Sequence, residues 1–208
     1  MGSICGWSGR GLGSDVTHQT IEAMLEKSGG IANTHPESNY DDSGALGIRE
    51  GINPTSFHCQ DDIRVAIAGS PEWSDQELAV AAHKQGAGAA LIKAWRSFGK
   101  NLLSKLHGSF ALAIQDGDEA LIAIDRIGIH SLSYTLPDGV FVISTSTGSV
   151  AGHPRVSRRI DPQAIFTYIY FYDIPSPGTM CVGVEKLLPA QYVHFRNGQL
   201  EKGFYWKL

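Results

Sequence analysis

The sequence has few cysteines and no surplus of positive charge, and each shortage excludes a class of protein. Its three cysteines lie far apart and form no CxxC pair, which argues against a disulfide framework or a zinc site. Seventeen basic and 21 acidic side chains give a net charge of −4. Because binding to nucleic acid requires a cationic surplus, we expect no nucleic-acid partner.

Long apolar runs and a secretory leader are also lacking. No apolar stretch approaches the ~20 residues that a membrane-spanning helix needs, so no membrane contact is expected. The first residues, Met1 to Gly6, lack the cationic and apolar blocks of a signal peptide. Together with the isolated cysteines, these absences predict a cytoplasmic protein.

Nucleotide-binding and metal-binding motifs are absent as well. The sequence contains no P-loop, no GxGxxG after a predicted strand, no HExxH and no GxSxG. Its eight histidines are scattered, and no two are spaced four residues apart. The sequence therefore predicts neither a metal ion nor a cofactor.

What the chain does contain is a series of hairpin signals. Turn residues at Asp116–Asp118, Pro137–Gly139 and Asn197–Gly198 each separate two short apolar segments. Helices are predicted over Asp15 to Lys27 and after Asp161-Pro162, where Asp caps the helix and Pro takes its first position. Because strands come as hairpins and do not alternate with helices, the pattern favours an α+β fold with antiparallel sheets. We expect a single domain over residues 1–208.

Four segments, in order along the chain, resemble one known family. The clearest is Leu106 to Asp116, with the form L-x-G-x-F-A-x-A-x-x-D, followed by Asp125 to Tyr134. Ile4 to Trp7 resembles the family's opening strand with its Cys-Gly pair, and Val65 to Ser70 falls on its Asn-Gly-Glu strand end. The family is the class II glutamine amidotransferase domain of asparagine synthetases, which belongs to the N-terminal-nucleophile hydrolases.

The resemblance implies both a fold and a site. The fold is a four-layer αββα sandwich, in which two mainly antiparallel sheets lie between helices. The site would use the Cys5 thiol as the nucleophile and the Gly69 backbone N–H as one oxyanion donor. Arg49 would bind the α-carboxylate of a glutamine-like ligand through paired hydrogen bonds.

Four departures from the family pattern argue against efficient glutamine hydrolysis. The family's cysteine uses its own free α-amine as the base, whereas four residues precede Cys5 here. Ala68 replaces the oxyanion-hole Asn, and Ser70 replaces an acidic residue. The second acidic position falls either on Gly86-Ala87, where the acid is lost, or on Ser74-Asp75, which makes Asp75 a further candidate ligand contact.

Three functional hypotheses follow. In the first, the chain is a degenerate amidotransferase-like domain that acts as a binding or structural partner of a separate synthetase chain. It would carry no synthetase domain, because the sequence stops where that domain would begin. In the second, removal of residues 1–4 frees Cys5, and the protein is an active glutaminase that supplies ammonia to another subunit. In the third, the fold hydrolyses a different amide with a nucleophile that the sequence does not identify.

Overall fold

The computed structural model describes residues 2–9, 14–29 and 34–207, which form twelve strands and five α-helices. The strands are β1 (Ser3–Ser8), β2 (Glu37–Asp41), β3 (Gly44–Arg49), β4 (Thr55–Gln60), β5 (Ile63–Trp73), β6 (Leu106–Asp116), β7 (Glu119–Ile124), β8 (Ser133–Thr135), β9 (Phe141–Ser144), β10 (Glu185–Lys186), β11 (Gln191–Arg196) and β12 (Gln199–Phe204). The helices are α1 (Ser14–Lys27), α2 (Gln76–Gln85), α3 (Ala87–Phe98), α4 (Thr147–Val150) and α5 (Pro162–Phe171).

Two six-stranded sheets organise the molecule. The first has the order β10-β8-β9-β1-β3-β2, and the second has the order β12-β11-β7-β6-β5-β4. Neighbouring strands pair antiparallel in both sheets. With α1 and α4 on one outer face and α2 and α3 on the other, this arrangement confirms the predicted αββα sandwich.

Three apolar clusters fill the spaces between these layers. The central cluster lies between the sheets and includes Ile4 of β1. A second cluster packs Cys5 of the same strand against α1, where it contacts residues such as Met24. The third joins the second sheet to α3 through residues such as Ile114 and Leu91. Neighbouring residues of β1 thus enter different clusters, as expected of a strand buried on both faces.

The hairpin and capping signals of the sequence are confirmed. Each of the three predicted turns joins, or lies between, antiparallel neighbours: β6 and β7, β8 and β9, and β11 and β12. The Asp161 side chain accepts a hydrogen bond from the backbone N–H of Gln163 at 2.9 Å, and Pro162 begins α5. Local turn and cap chemistry is sufficient to define these elements because it does not depend on distant contacts.

Two segments differ from the sequence prediction. β2 is a strand that the hairpin signals of the sequence do not predict. All five residues of that strand are exposed, so no apolar alternation marks it. β5 continues beyond Ser70, where the segment that resembles the family's strand end stops, because β6 pairs with it as far as Trp73. Within the described residues, no helix is long and apolar enough to cross a membrane. The single domain over residues 1–208 stays a prediction.

His153 is a polar side chain buried completely beside the first sheet. Its ring contacts Trp7 edge-on, with 5.0 Å between ring centres. Its Nδ1 accepts a hydrogen bond from the Arg155 amide at 3.3 Å, whereas Nε2 has no hydrogen-bond partner among the described residues. Burial, with a smaller effect from Arg155, lowers the pKa of His153 to about 4. The folded protein therefore holds this ring neutral.

A neutral buried histidine makes stability depend on pH. The folded-state pKa lies below the value of about 6.5 in the unfolded chain, so the unfolded state binds more protons between the two values. The free energy of unfolding should therefore fall by about 3 kcal/mol from this residue as the pH decreases through that range. The free energy of unfolding can be measured by urea unfolding at several pH values in that range. It should depend less steeply on pH in His153→Asn than in the wild type. The exposed control His35→Asn should keep the wild-type slope, and equal slopes for all three proteins would contradict this assignment.

Candidate functional site

The alternation of side chains along β1 determines where Cys5 lies. Ile4 faces the second sheet, and Cys5 faces α1, where its side chain is fully buried. Cys5 pairs with Gly47 on one side and with Ser144 on the other, so it sits in the interior of the sheet. The thiol is therefore part of the apolar packing between the first sheet and the helices.

Burial also suppresses the chemistry of this thiol. Desolvation raises the pKa of Cys5 to about 12, against a smaller opposing effect of the Ser149 hydroxyl. The thiolate is the nucleophilic form of cysteine, and an activated cysteine has a lowered pKa. Cys5 has the properties of a structural cysteine at neutral pH.

Arg49 is the one predicted site residue that the structure brings near Cys5. It ends β3 opposite Ser3, two residues beyond the partner of Cys5, and strand alternation places it on the same face of the sheet. Its Nε atom is buried and has no hydrogen-bond partner in the described part of the chain. The Nε–H donor of Arg49 is therefore not paired with any acceptor among the described residues.

Gly69 lies in the second sheet, whereas the Cys5 side chain faces away from that sheet. Its φ of +101° is a conformation that glycine tolerates and other residues rarely adopt. The Gly69 N–H already donates a hydrogen bond to the Pro54 carbonyl at 2.8 Å. The structure therefore separates the predicted oxyanion donor from the predicted nucleophile, and that donor is already used within the fold.

Asp75 caps the N-terminus of α2, on the far side of the sandwich from Cys5. Its carboxylate accepts hydrogen bonds from the amides of Glu77 and Leu78, and it forms an ion pair with Lys105 at 3.1 Å. These interactions, with Lys105 first, lower the pKa of Asp75. The alternative position, Ala87, begins α3 in the same outer layer. Both sheets therefore separate Cys5 from either candidate for the family's second acidic position.

A cavity of about 200 Å³ opens at the beginning of β1, three residues before Cys5. It is lined by small or hydroxyl-bearing residues and one histidine: Gly2, Ser3, Ser28, Gly29, His130, Ser131 and Thr145. Among these described lining residues there is no Lys, Arg, Asp or Glu. The polar side chains of this lining are the hydroxyl groups of the Ser and Thr residues and the His130 ring.

His130 is the cavity residue that sequence reasoning missed. It is 5% exposed, and burial lowers the pKa of its ring despite the nearby Asp125 carboxylate. Among the described residues, no hydrogen bond reaches its ring nitrogens, and its Nε2 lies close to Gly69. The Asp125 carboxylate fixes the preceding loop by accepting hydrogen bonds from three backbone amides, including that of His130 at 3.0 Å. The Asp-Arg-x-Gly sequence from Asp125 indicated this loop, but it did not indicate that His130 lines the cavity.

Metal binding finds no support in the part of the chain that the structure describes. No group of three or more His, Cys, Asp or Glu side chains there could hold a metal ion. Cys5, Cys59 and Cys181 are all free thiols.

Comparison with known proteins gives one family and several relatives. The family described as glutamine amidotransferase domain matches residues 75–206. Asparagine synthetase [glutamine-hydrolyzing] 1 of Bacillus subtilis (strain 168) is 28% identical over 121 residues, which cover 56% of this chain and 19% of that protein. The amidase chyE of Penicillium rubens is 29% identical over 164 residues, which cover 73% of this chain and 23% of that protein. The chain thus matches about a fifth of the length of these relatives.

Two solved structures share the fold. The allosteric regulatory enzyme of purine biosynthesis superposes with a TM-score of 0.59 at 14% identity, covering 98% of this chain and 49% of that one. Glutamine phosphoribosylpyrophosphate amidotransferase from B. subtilis gives a TM-score of 0.57 at 13% identity, with the same coverage. At these identities the similarity concerns the fold alone.

The space around Gly69 can be tested by substitution. A Cβ at this position would lie 2.3 Å from the Ser109 carbonyl oxygen and 2.6 Å from His130 Nε2. Gly86 has a similar φ of +92°, but a Cβ there would meet nothing within 4 Å. Gly69→Ala should therefore lower the free energy of unfolding by about 1–3 kcal/mol more than Gly86→Ala, since only the first adds a steric clash. Equal losses in urea unfolding would contradict this packing.

The burial of Cys5 predicts the order in which the thiols react. In the native protein, iodoacetamide should modify the exposed Cys59 and leave Cys5 unmodified. Peptide mass spectrometry should detect modified Cys5 only after unfolding in guanidinium chloride. A Cys59→Ser variant serves as the control, because its native labelling should lose the Cys59 signal alone. Native modification of Cys5 at the rate of Cys59 would show that the thiol is accessible.

Proposed function

Because the chain belongs to the glutamine amidotransferase domain family, we propose that it is a domain of this fold that binds a partner chain and has lost efficient glutamine hydrolysis. The observation that supports this most directly is the complete burial of Cys5 within β1. Cys5 is not among the described residues that line the cavity at the strand's beginning, and burial keeps its thiol protonated.

At the beginning of β1, Gly2 has no side chain, and the Ser3 hydroxyl is hydrogen-bonded to the Ser28 hydroxyl at 2.7 Å. The family's mechanism needs a cysteine at the start of its opening strand, and here Gly2 precedes the first strand residue. A Cβ on Gly2 would lie 2.2 Å from Thr55 Cγ2 and 3.0 Å from the Asn53 carbonyl oxygen. The neighbouring β4 therefore fills the space that a cysteine side chain would need.

The oxyanion hole is depleted in the same way. Ala68 has no side-chain donor, and the Gly69 N–H is bonded to the Pro54 carbonyl. Removal of one such donor costs about 2.7–4 kcal/mol of transition-state stabilisation. Loss of both donors would leave the negative charge of a tetrahedral intermediate without the stabilisation on which this mechanism depends.

The alternative, in which removal of residues 1–4 frees Cys5, conflicts with the packing of β1. Cleavage would remove the fully buried Ile4 from the central cluster. It would also break hydrogen bonds to the Ile4 carbonyl. The backbone N–H of Thr145 and the hydroxyl of Ser144 each donate to this oxygen at 2.9 Å. Loss of a buried isoleucine from a core costs about 2–5 kcal/mol, so the cleaved protein would be strongly destabilised.

A separate synthetase chain is the partner that the relatives suggest. The B. subtilis relative is an asparagine synthetase by name. We therefore propose that the domain associates with a synthetase polypeptide, and that any bound ligand is a small glutamine-like molecule. The cavity beside Gly2 could accommodate a carboxamide, because its described lining is polar and uncharged.

Ammonia release from glutamine tests this function. We expect the purified wild-type protein to release no more ammonia than Cys5→Ala, because the buried thiol does not take part. A coupled glutamate dehydrogenase assay at neutral pH measures the release. Cys59→Ala is the matched control, since it removes an exposed thiol from the same protein.

The contrary result is equally specific. Ammonia release by the wild type and by Cys59→Ala, abolished in Cys5→Ala, would establish Cys5 as a nucleophile and overturn the proposal. Intact-mass analysis of the same sample would then show whether the active species begins at Cys5.

A further inference from the structure

The outward face of α5 is a large exposed apolar surface. Ile165, Phe166, Ile169 and Tyr170 form two adjacent rows at a spacing of four residues, and each is between 43% and 69% exposed. Ala164 is the buried residue of this helix, whereas Tyr168 and Phe171, which lie on the same side as Ala164, are 49% and 62% exposed. We call the side chains of Ile165, Phe166, Ile169 and Tyr170 the α5 surface.

A helix of this composition is normally covered. Residues 162–172 contain no Lys, Arg, Asp or Glu, and a helix that is apolar around its circumference is characteristic of a buried position. With aromatic side chains of about 150–250 Å² each, the α5 surface and the 84% exposed Tyr172 leave on the order of 600 Å² uncovered. Exposed apolar patches of several hundred Å² mark interaction sites.

The charges at the two ends of α5 indicate what covers it. Arg159 lies before its N-terminus and Asp173 after its C-terminus, and both residues are exposed. Neither side chain has an ion-pair partner in residues 2–9, 14–29 and 34–207. Opposite charges at opposite ends make the surface complementary to itself when two copies of the helix run antiparallel.

We propose that the α5 surface is the interface of a two-fold symmetric dimer of this chain. Antiparallel α5 helices would bury the apolar rows against each other and bring Arg159 of each copy beside Asp173 of the other. The same arrangement sets the positive end of each helix dipole against the negative end of its neighbour. A helix without charged residues adds no like-charge repulsion at the centre of this interface. Because the available area is below the ~800 Å² per partner of a standard interface, the dimer should dissociate on dilution.

Sedimentation velocity of the purified chain over a range of concentrations tests the dimer. We expect the sedimentation coefficient to rise from monomer to dimer with concentration. Ile169→Glu should weaken dimerisation by about a hundredfold or more, because the charge enters the interface from both copies. The control Ile52→Glu, at an 87% exposed isoleucine outside α5, should dimerise like the wild type. Circular dichroism should show that both variants remain folded.

A charge exchange tests the antiparallel arrangement separately. Arg159→Glu alone and Asp173→Lys alone should each weaken dimerisation by about tenfold, since each variant places like charges together twice per dimer. The double variant should recover most of the wild-type affinity. Recovery is not expected if the helix is covered by an unlike partner, whose charges the double variant would not match.

Three results would overturn the proposal. One is a wild-type monomer at every concentration, which would leave the α5 surface to a different chain or domain. Another is an equal effect of Ile169→Glu and Ile52→Glu, and the third is a double charge variant no better than the single ones. None of the residues that are substituted lies in β1 or lines the cavity beside Gly2, so dimerisation and glutamine hydrolysis can be measured independently.

Discussion

The two-residue periodicity of β1 is the constraint on which the properties of the site depend. Because successive side chains of a strand point to opposite faces, Ile4 enters the core between the sheets, and Cys5 must face α1. A shift of one residue would exchange these positions and expose the opposite set of side chains to each core. The first sheet is covered on both faces, so neither position is open to solvent. The thiol consequently contributes to packing, while the cavity at the strand's beginning is left to glycine, hydroxyl groups and His130.

Much of the fold could be predicted from local sequence signals. The Asp-Gly and Asn-Gly turns define hairpins because their backbone conformation is set within two residues, and Asp161-Pro162 defines a helix start for the same reason. β2 could not be predicted because its side chains are all exposed, so pairing with β3 alone makes it a strand. The extension of β5 past Pro71 is also a tertiary effect, since it follows the length of β6.

The site was harder to predict than the fold. A Cys-Gly pair in a first strand resembles the family's nucleophile, but the pattern alone does not give the face to which the thiol points. Arg49 lies on that same face near Cys5. Gly69 and Asp75 have roles within the fold that depend on distant partners, Pro54 and Lys105, which no local pattern reveals. His130 enters the cavity because the Asp125 carboxylate fixes the loop before it, and this too becomes visible only in three dimensions. For the α5 surface, in contrast, the sequence predicts a helix without charged residues, but it does not predict that this helix is exposed.

The protonation state of Cys5 is the quantity that tests this account most directly. Cysteine labelled with ¹³C at Cβ allows each thiol to be followed by NMR through a pH titration of the native protein, with Cys5→Ala used to assign the signal. We expect the Cys5 signal to stay constant from about pH 6 to about pH 10, because burial raises the pKa of this thiol to about 12. A Cys5 signal that titrates at or below the ordinary thiol value of about 8.5 would contradict it, and would return the thiol to the role of a nucleophile.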